Sequence, residues 1–318
     1  MIRSGAPGGY GQGMPHLRLL PLALLLAACV PSTALQTTPT TPSTLPTLSG
    51  PTLLAAGDIA RCGLPGAART AALIGRALHD DPDATVAALG DLAYETGSAA
   101  EFRDCYAPTW GAFLNRTRPV PGNHEYATRG AAPYYAYFGA RAGDPVRGYY
   151  SYDLGSWHVI ALNSNCDAVG GCRAGSAQEQ WLRADLRAHP GACTLAYWHH
   201  PLFSSGWHGN NPAVRDLYRA LDDAHAEIVL NGHDHHYERF APQNHDGQPR
   251  ADGVRQFVVG TGGGGLYGLR AVQPNSAARY GAGYGVLKLT LGNGAYAWQY
   301  LPEDGQTWTD AGTAPCVP

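Results

Sequence analysis

Five short apolar runs in this chain each stop at a residue able to hold a metal ion, and that recurrence limits the fold more than any other feature. The plainest is Val86 to Leu89, closed by Gly90-Asp91-Leu92-Ala93-Tyr94. A brief unbroken apolar run closed by Gly reads as a strand covered on both faces. Gly90 lets the backbone turn where the strand stops. Asp91 then stands at the carboxyl end of the strand, where open α/β sheets place their ligands. The other runs end at Asp58, at Asn123 with His124, at His199, and at His233 with His235. One Asp after a strand is ordinarily a turn residue or a helix cap, but five endings of one chemical kind need another cause. Histidine repeats the signal: seven of the 13 are His124, His199, His200, His208, His233, His235 and His236.

Between these endings the pattern alternates strand and helix. Thr52 to Ala56 reads as a strand before a helix over 67–79, and a further helix is expected near 99–106. Tyr149 to Asp153 and Trp157 to Asn163 alternate as strands of a partly exposed sheet. Ser176-Ala177-Gln178-Glu179 has the form of a capping box, and Trp181, Leu182 and Leu186 give the helix after it one apolar face. A strand over 194–198, a helix over 212–224 and a strand over 227–230 follow. Leu287, Leu289 and Leu291, the Asn293-Gly294 turn, and Tyr296, Trp298 and Tyr300 form a hairpin. The expected fold class is α/β, with two mixed β-sheets packed together and flanked by helices. It occupies residues 52–318 as one catalytic domain.

The N-terminal part reads as an address. Arg18 precedes an apolar run, Leu19 to Ala28, too short to span a bilayer and suited to an export signal over residues 1–29. Its ending, Leu26-Ala27-Ala28-Cys29, resembles a bacterial lipoprotein cleavage box, in which the cysteine is lipidated. An ordinary signal peptide is the alternative, and translation starts at Met1 or Met14. Several acyl chains on Cys29 would anchor the protein durably. Residues 30–51, rich in Thr, Pro and Ser, read as an extended tether. The other six cysteines form an even set, read as three disulfides of an exported chain. Of these only Cys166–Cys172 is assigned, because the five residues between them can close a small loop. No cysteine spacing matches a zinc ribbon. A net charge of -3 gives no reason to expect nucleic acid as a structural partner.

Carboxylate, imidazole and amide donors together suit first-row metals such as zinc, iron and manganese. The set is large enough for two ions sharing a carboxylate, which would sit about 3.5–4 Å apart. The ordered blocks Gly57-Asp58, Gly90-Asp91, Gly122-Asn123-His124-Glu125, His199-x-Pro201 and Gly232-His233-x-His235 resemble the calcineurin-like metallophosphoesterases. More narrowly, Gly90-Asp91-Leu92-Ala93-Tyr94 and Gly232-His233-Asp234-His235-His236-Tyr237-Glu238-Arg239 resemble the purple acid phosphatase branch. The resemblance covers about residues 52–262 and implies that family's four-layer sandwich. Carried over residue by residue, it implies that Asp58, Tyr94 and His235 hold a first metal. Asn123, His199 and His233 would hold a second, with Asp91 bridging both. Tyr94 would be the tyrosinate whose charge transfer to ferric iron gives that branch its colour. His124 and His208 would face the substrate phosphate as catalytic groups, while His200 and His236 would pack behind the ligands.

The implied cofactors are two metal ions, iron with iron, zinc or manganese. The implied activity is hydrolysis of phosphate monoesters of small molecules, by in-line attack of a metal-bound hydroxide. A phosphodiesterase or nucleotidase on the same scaffold is the alternative, and a non-catalytic surface binding module is a third reading. Two departures from the family pattern stand out. Ala60 occupies the position where many members carry a histidine after the first Asp, a loss that Tyr94 would compensate, and Thr96 replaces an acidic residue common in the branch. Glu125 is read as satisfying loop amides or orienting His124. Gly262 to Gly265 lacks the Lys and Ser/Thr of a P-loop and reads as a flexible loop near the site. Trp207, Tyr126 and Trp110 are candidate cleft aromatics that the sequence does not place.

Overall fold

Apolar runs of alternating or continuous character sort into two sheets. In the computed structural model, which describes residues 48–316, one sheet has six strands. Their order is Ala311–Pro315, Ala295–Pro302, Gly285–Gly292, Thr52–Ala56, Thr85–Leu89 and Thr117–Val120. The last three are mutually parallel, with Leu54 beside Val86 and Ala87 beside Arg118. The hairpin over 285–302 pairs in the expected register, Gly292 facing Ala295.

The second sheet has seven strands, in the order Ser276–Tyr280, Tyr237–Phe240, Arg255–Val259, Ile228–Asn231, Cys193–Tyr197, Trp157–Ala161 and Tyr150–Leu154. Its four inner strands from Arg255–Val259 to Trp157–Ala161 are parallel. In each sheet, therefore, the parallel strands end on one edge, which is where the metal-ligand candidates fall.

The period of two along the strands decides which layer each side chain joins. Val159, Leu195 and Ile228 enter a buried cluster shared with Leu53, Val86 and Leu289 of the other sheet. Their neighbours Ile160, Ala196 and Val229 face outward, against Leu182, Leu217 and Leu221 of helices Ala177–Ala188 and Arg215–Asp223. Helix Gly66–Asp80 buries Leu73 and Ile74 against the first cluster. Each fully buried leucine or isoleucine contributes about 1.5–3 kcal/mol. The result is a four-layer sandwich of two mixed sheets between helices.

Local departures have local causes. At Ser98 a complete capping box with Glu101 starts the helix Ala99–Glu101, which widens over Phe102–Tyr106 so that Ala107 N–H donates to the Phe102 carbonyl. The box expected at Ser176 is only half formed. Glu179 N–H donates to Ser176 Oγ, but the Glu179 carboxylate takes the Gly175 amide (2.9 Å) and Arg183 instead. The helix expected over 212–224 begins as a tighter turn, Pro212–Val214, before Arg215–Asp223.

All six cysteines downstream of residue 51 are paired, as Cys62–Cys105, Cys166–Cys172 and Cys193–Cys316. This suits an oxidising compartment. Among the described residues no helix is long and apolar enough to cross a membrane. The expected export signal, Cys29 and all but the last few residues of the tether lie outside the described residues.

Candidate metal centre

The strand ends are held together by backbone that only small or specially placed residues tolerate. Gly90 has φ +85°, and a Cβ on it would meet His199 Nδ1 at 2.6 Å. A Cβ on Gly122 would lie 2.1 Å from Asp91 Oδ1. Asp58, Asp91 and His233 themselves have φ of 60°, 52° and 72°, a left-handed backbone that costs each about 1–3 kcal/mol. Strain of this kind gathers at sites where the surrounding structure fixes side chains in place. The main chains interlock as well: Asp58 N–H donates to Gly90 O, Gly232 N–H to His199 O, and Gly264 N–H to Asp58 O (2.9, 3.0 and 2.7 Å). The glycine run 262–265 is therefore a docked strut rather than a loose loop, since Gly262 N–H also donates to Gly57 O and Gly265 O accepts from His235 Nδ1.

Around Asp91 two sets of donors converge. On one side the Tyr94 hydroxyl lies 2.9 Å from Asp58 Oδ1, 3.4 Å from Asp91 Oδ2 and 3.0 Å from His235 Nε2. His235 Nε2 is also 3.2 Å from Asp58 Oδ1. On the other side His199 Nε2 is 3.1 Å from Asp91 Oδ2 and 3.3 Å from His233 Nδ1. The outer nitrogens are anchored: His199 Nδ1 bonds Leu89 O and His235 Nδ1 bonds Gly265 O, each at 2.9 Å. That leaves the inner nitrogens aimed into the cluster, where each can offer a lone pair to a bound cation. Asn123 opens a short helix beside Asp91, and its Oδ1 is buried with no hydrogen-bond partner.

His124 stands over the same carboxylate. Its backbone N–H donates to Asp91 Oδ1 (2.8 Å), its Nδ1 is held by Glu95 O (2.5 Å), and its Nε2 is 3.8 Å from Asp91 Oδ2. His208 reaches in from the loop after Pro201, with its ring 4.3 Å from that of His233. All nine residues named from the sequence are thus drawn to one region.

The charges there are unbalanced. Burial opposes ionisation of Asp91, but His199 and then His124 overcome it and hold the carboxyl well below its usual range. Against its own burial, His199 is raised by Asp91 to about 9. Burial and the carboxylates of Asp58 and Asp91 push the Tyr94 phenol far up, so that it ionises only with a cation among the same oxygens. Burial, with Asp91, raises Glu125 to about 7, against the amides it accepts. Those amides belong to Asp91, Leu92, Ala93 and Gly122, so Glu125 is the brace of the loop carrying Asp91.

Several participants were not readable in advance. Asp234, wholly buried between the two histidines of its motif, accepts from His208 N–H, Gly209 N–H and Ser204 Oγ–H. It ties the His208 loop to the metal motif. Tyr267 stacks on His235 with ring centroids 3.9 Å apart, and the Arg61 guanidinium lies 4.8 Å over the Tyr94 ring. Asp234 carried a signal, since an acid between two ligand-type histidines must point away from them and find donors elsewhere. Tyr267 carried none. Of the candidate cleft aromatics, Trp110 is fully buried and donates to Thr70 Oγ1, away from the centre, Tyr126 bonds Asn163, and Trp207 is exposed beneath Arg270.

The donor set suits a cation pair. Carboxylate, carbonyl, phenol and imidazole atoms face one another with few protons to share, and an orphaned amide oxygen completes them. A four-layer sandwich whose parallel strands end in such a cluster defines a metal-dependent phosphoesterase. The chain belongs to the calcineurin-like phosphoesterase family, whose profile matches residues 51–237.

Among its relatives, Purple acid phosphatase 15 of Arabidopsis thaliana is 26% identical over 209 residues, 52% of this chain and 37% of that protein. Probable inactive purple acid phosphatase 9 of the same plant is 26% identical over 212 residues, 52% of this chain and 31% of the relative. The structure of purple acid phosphatase PPD1 from yellow lupin (Lupinus luteus) seeds superposes with a TM-score of 0.69 at 20% identity, covering 84% of this chain and 54% of that one. The matched region thus spans about a third of the two Arabidopsis proteins.

Proposed function

We propose that the protein is an exported phosphatase that hydrolyses phosphate monoesters with two metal ions. Asp58, Tyr94 and His235 would hold the first, Asn123, His199 and His233 the second, and Asp91 would bridge them. The observation that carries this reading is the sharing of Asp91 Oδ2 between Tyr94 OH on one side and His199 Nε2 on the other. The cations, when bound, supply charge for the phosphate oxygens and acidify a water for in-line attack.

The chain's own residues do the rest. Asp91 is held rigid through Glu125 and Gly122, so the two subsites keep their spacing. His124, fixed through Nδ1 by Glu95 O, presents Nε2 to the centre, where it steadies a phosphate oxygen and delivers a proton to the departing alkoxide. His208, placed by Asp234, closes the opposite side. Tyr94 at the first subsite favours ferric iron there, with iron, zinc or manganese at the second. The three disulfides and the Leu26-Ala27-Ala28-Cys29 sequence support an extracytoplasmic location with a lipid anchor at Cys29.

One relative is described as probable inactive, so the case for catalysis rests on the site. The test is elemental analysis and a visible spectrum of purified protein, followed by kinetics on p-nitrophenyl phosphate beside its bis ester. Two metals per chain, a broad visible band and a kcat/KM at least about tenfold higher for the monoester, a 1.4 kcal/mol preference, are expected. Dominant diester turnover would make the protein a phosphodiesterase, and a metal-loaded protein that hydrolyses neither would be a binding module.

A further inference from the structure

His199 is followed directly by His200, which the family resemblance places behind the ligands rather than among them. Its surroundings say otherwise. One ring nitrogen from each of His199, His200 and His233 lies within 4.8 Å of the others. The ring centroids are 4.9 Å apart for His199 and His200, 5.1 Å for His199 and His233, and 4.4 Å for His200 and His233. With metal–nitrogen bonds of about 2.1 Å, two imidazoles on one ion at octahedral to tetrahedral angles have centroids about 4.6–5.3 Å apart. All three separations fall within a few tenths of an ångström of that range.

The anchoring of His200 is also that of a ligand. His199 and His235 each fix their outer nitrogen on a backbone carbonyl. His200 fixes Nδ1 on the buried Ser164 hydroxyl at 2.8 Å, and Ser164 Oγ in turn accepts the His200 N–H at 3.0 Å. This double tie sets the ring's orientation and leaves Nε2 without a hydrogen-bond partner among the described residues. An imidazole oriented from behind, clustered with two others and with one nitrogen unbonded, has the second-sphere support that metal-bound histidines carry.

We infer that His200 is a third imidazole ligand of the second metal, an inference that rests on the proposed cation pair. The second subsite then has five protein donors: three nitrogens, the Asn123 carbonyl and the Asp91 carboxylate. Six-coordinate metal would keep one position for water or substrate. So nitrogen-rich a set favours zinc or iron over manganese, which prefers oxygen.

The test is 15N-histidine NMR of the full-length protein, metal-free and loaded with two zinc ions, with His200→Gln to assign the resonance and zinc titrations of both proteins. Four histidines should take metal-bound nitrogen shifts on loading, one of them absent in H200Q. That variant should keep the first zinc and bind the second at least about tenfold more weakly. Three metal-bound histidines, with the His200 resonance unchanged on loading, would overturn the inference whatever H200Q does, leaving the two-metal reading intact. If the wild-type protein takes up no zinc pair, it is the two-metal reading that fails, and this inference with it.

Discussion

Among the histidine and carboxylate clusters near the second sheet, two solve the same electrostatic problem in different ways. Away from the metal centre, His158 is buried with Nδ1 3.0 Å from Asp153 and Nε2 2.8 Å from Asp185. Its ring stacks on His189 at 3.6 Å. Both ring nitrogens have carboxylate acceptors, which favours the doubly protonated imidazole and its positive charge. Burial opposes that charge, yet the hydrogen bonds to Asp185 and Asp153 win, and the pKa is raised. At the metal centre His199 Nε2 faces His233 Nδ1 as well as Asp91, Asn123 Oδ1 has no hydrogen-bond partner, and the backbone is left-handed at three of the residues involved. One cluster is complete as folded. The other is short of positive charge, and that deficit, rather than the mere density of histidine and aspartate, marks a metal site.

The largest effect should come from the carboxylate common to both halves of the incomplete cluster. Asp91→Asn is expected to lower phosphatase kcat/KM by about 10³-fold, the scale for losing a preorganised charge-stabilising group, with metal content falling in elemental analysis. Asp185→Asn should leave both unchanged. Equal losses in the two variants would erase the distinction.

Metal removal sharpens the comparison next. A chelator should lower the melting temperature and added zinc restore it, since zinc at about 100 times its Kd stabilises by about 2.7 kcal/mol. The same shift should appear in a His158→Gln variant, whose substitution leaves the residues around Asp91 untouched.

The smallest effect is the pH response of the complete cluster. A histidine whose folded pKa is raised stabilises fully below its unfolded value, about 6.5, and loses that contribution as pH rises through the folded value. Wild-type stability in denaturant should therefore decline across that interval. His158→Gln should cost about 1–3 kcal/mol at pH 6, toward the lower end because Asp153 is largely exposed. The gap should narrow at alkaline pH. A gap that stayed constant with pH would show that His158 is not charged in the fold.

What the sequence disclosed follows from this contrast. Residues at strand ends were legible because a run of apolar residues sets the strand, and the next polar residue must sit at its edge. Asp58, Asp91 and His199 are of that kind, and the hairpin at Asn293-Gly294 was equally plain. Tyr267 was not, since it acts through a loop whose approach depends on the tertiary fold, and Asp234 gave only the hint of an acid set between two ligand-type histidines. His200 carries no signal of its own, because a pattern that leaves a position open says nothing about what occupies it. Trp110 is a cleft candidate that nothing in the sequence places, whereas a hydrogen bond from its indole to Thr70 seats it against the helix Gly66–Asp80. At Ser176 the motif was right but Gly175 offered Glu179 a nearer amide.

The Cys193–Cys316 bridge carries one more implication. Cys193 begins a central strand of one sheet, and Cys316 follows the outermost strand of the other, so the link stitches the sandwich shut at the end remote from Asp91. Closing a loop of 123 residues removes far more freedom from the unfolded chain than the six-residue Cys166–Cys172 loop does, about 5 against about 2 kcal/mol. While that stitch holds, the two halves cannot part like the covers of a book. Losing that bridge would free the back of the molecule, the end away from its reactive face.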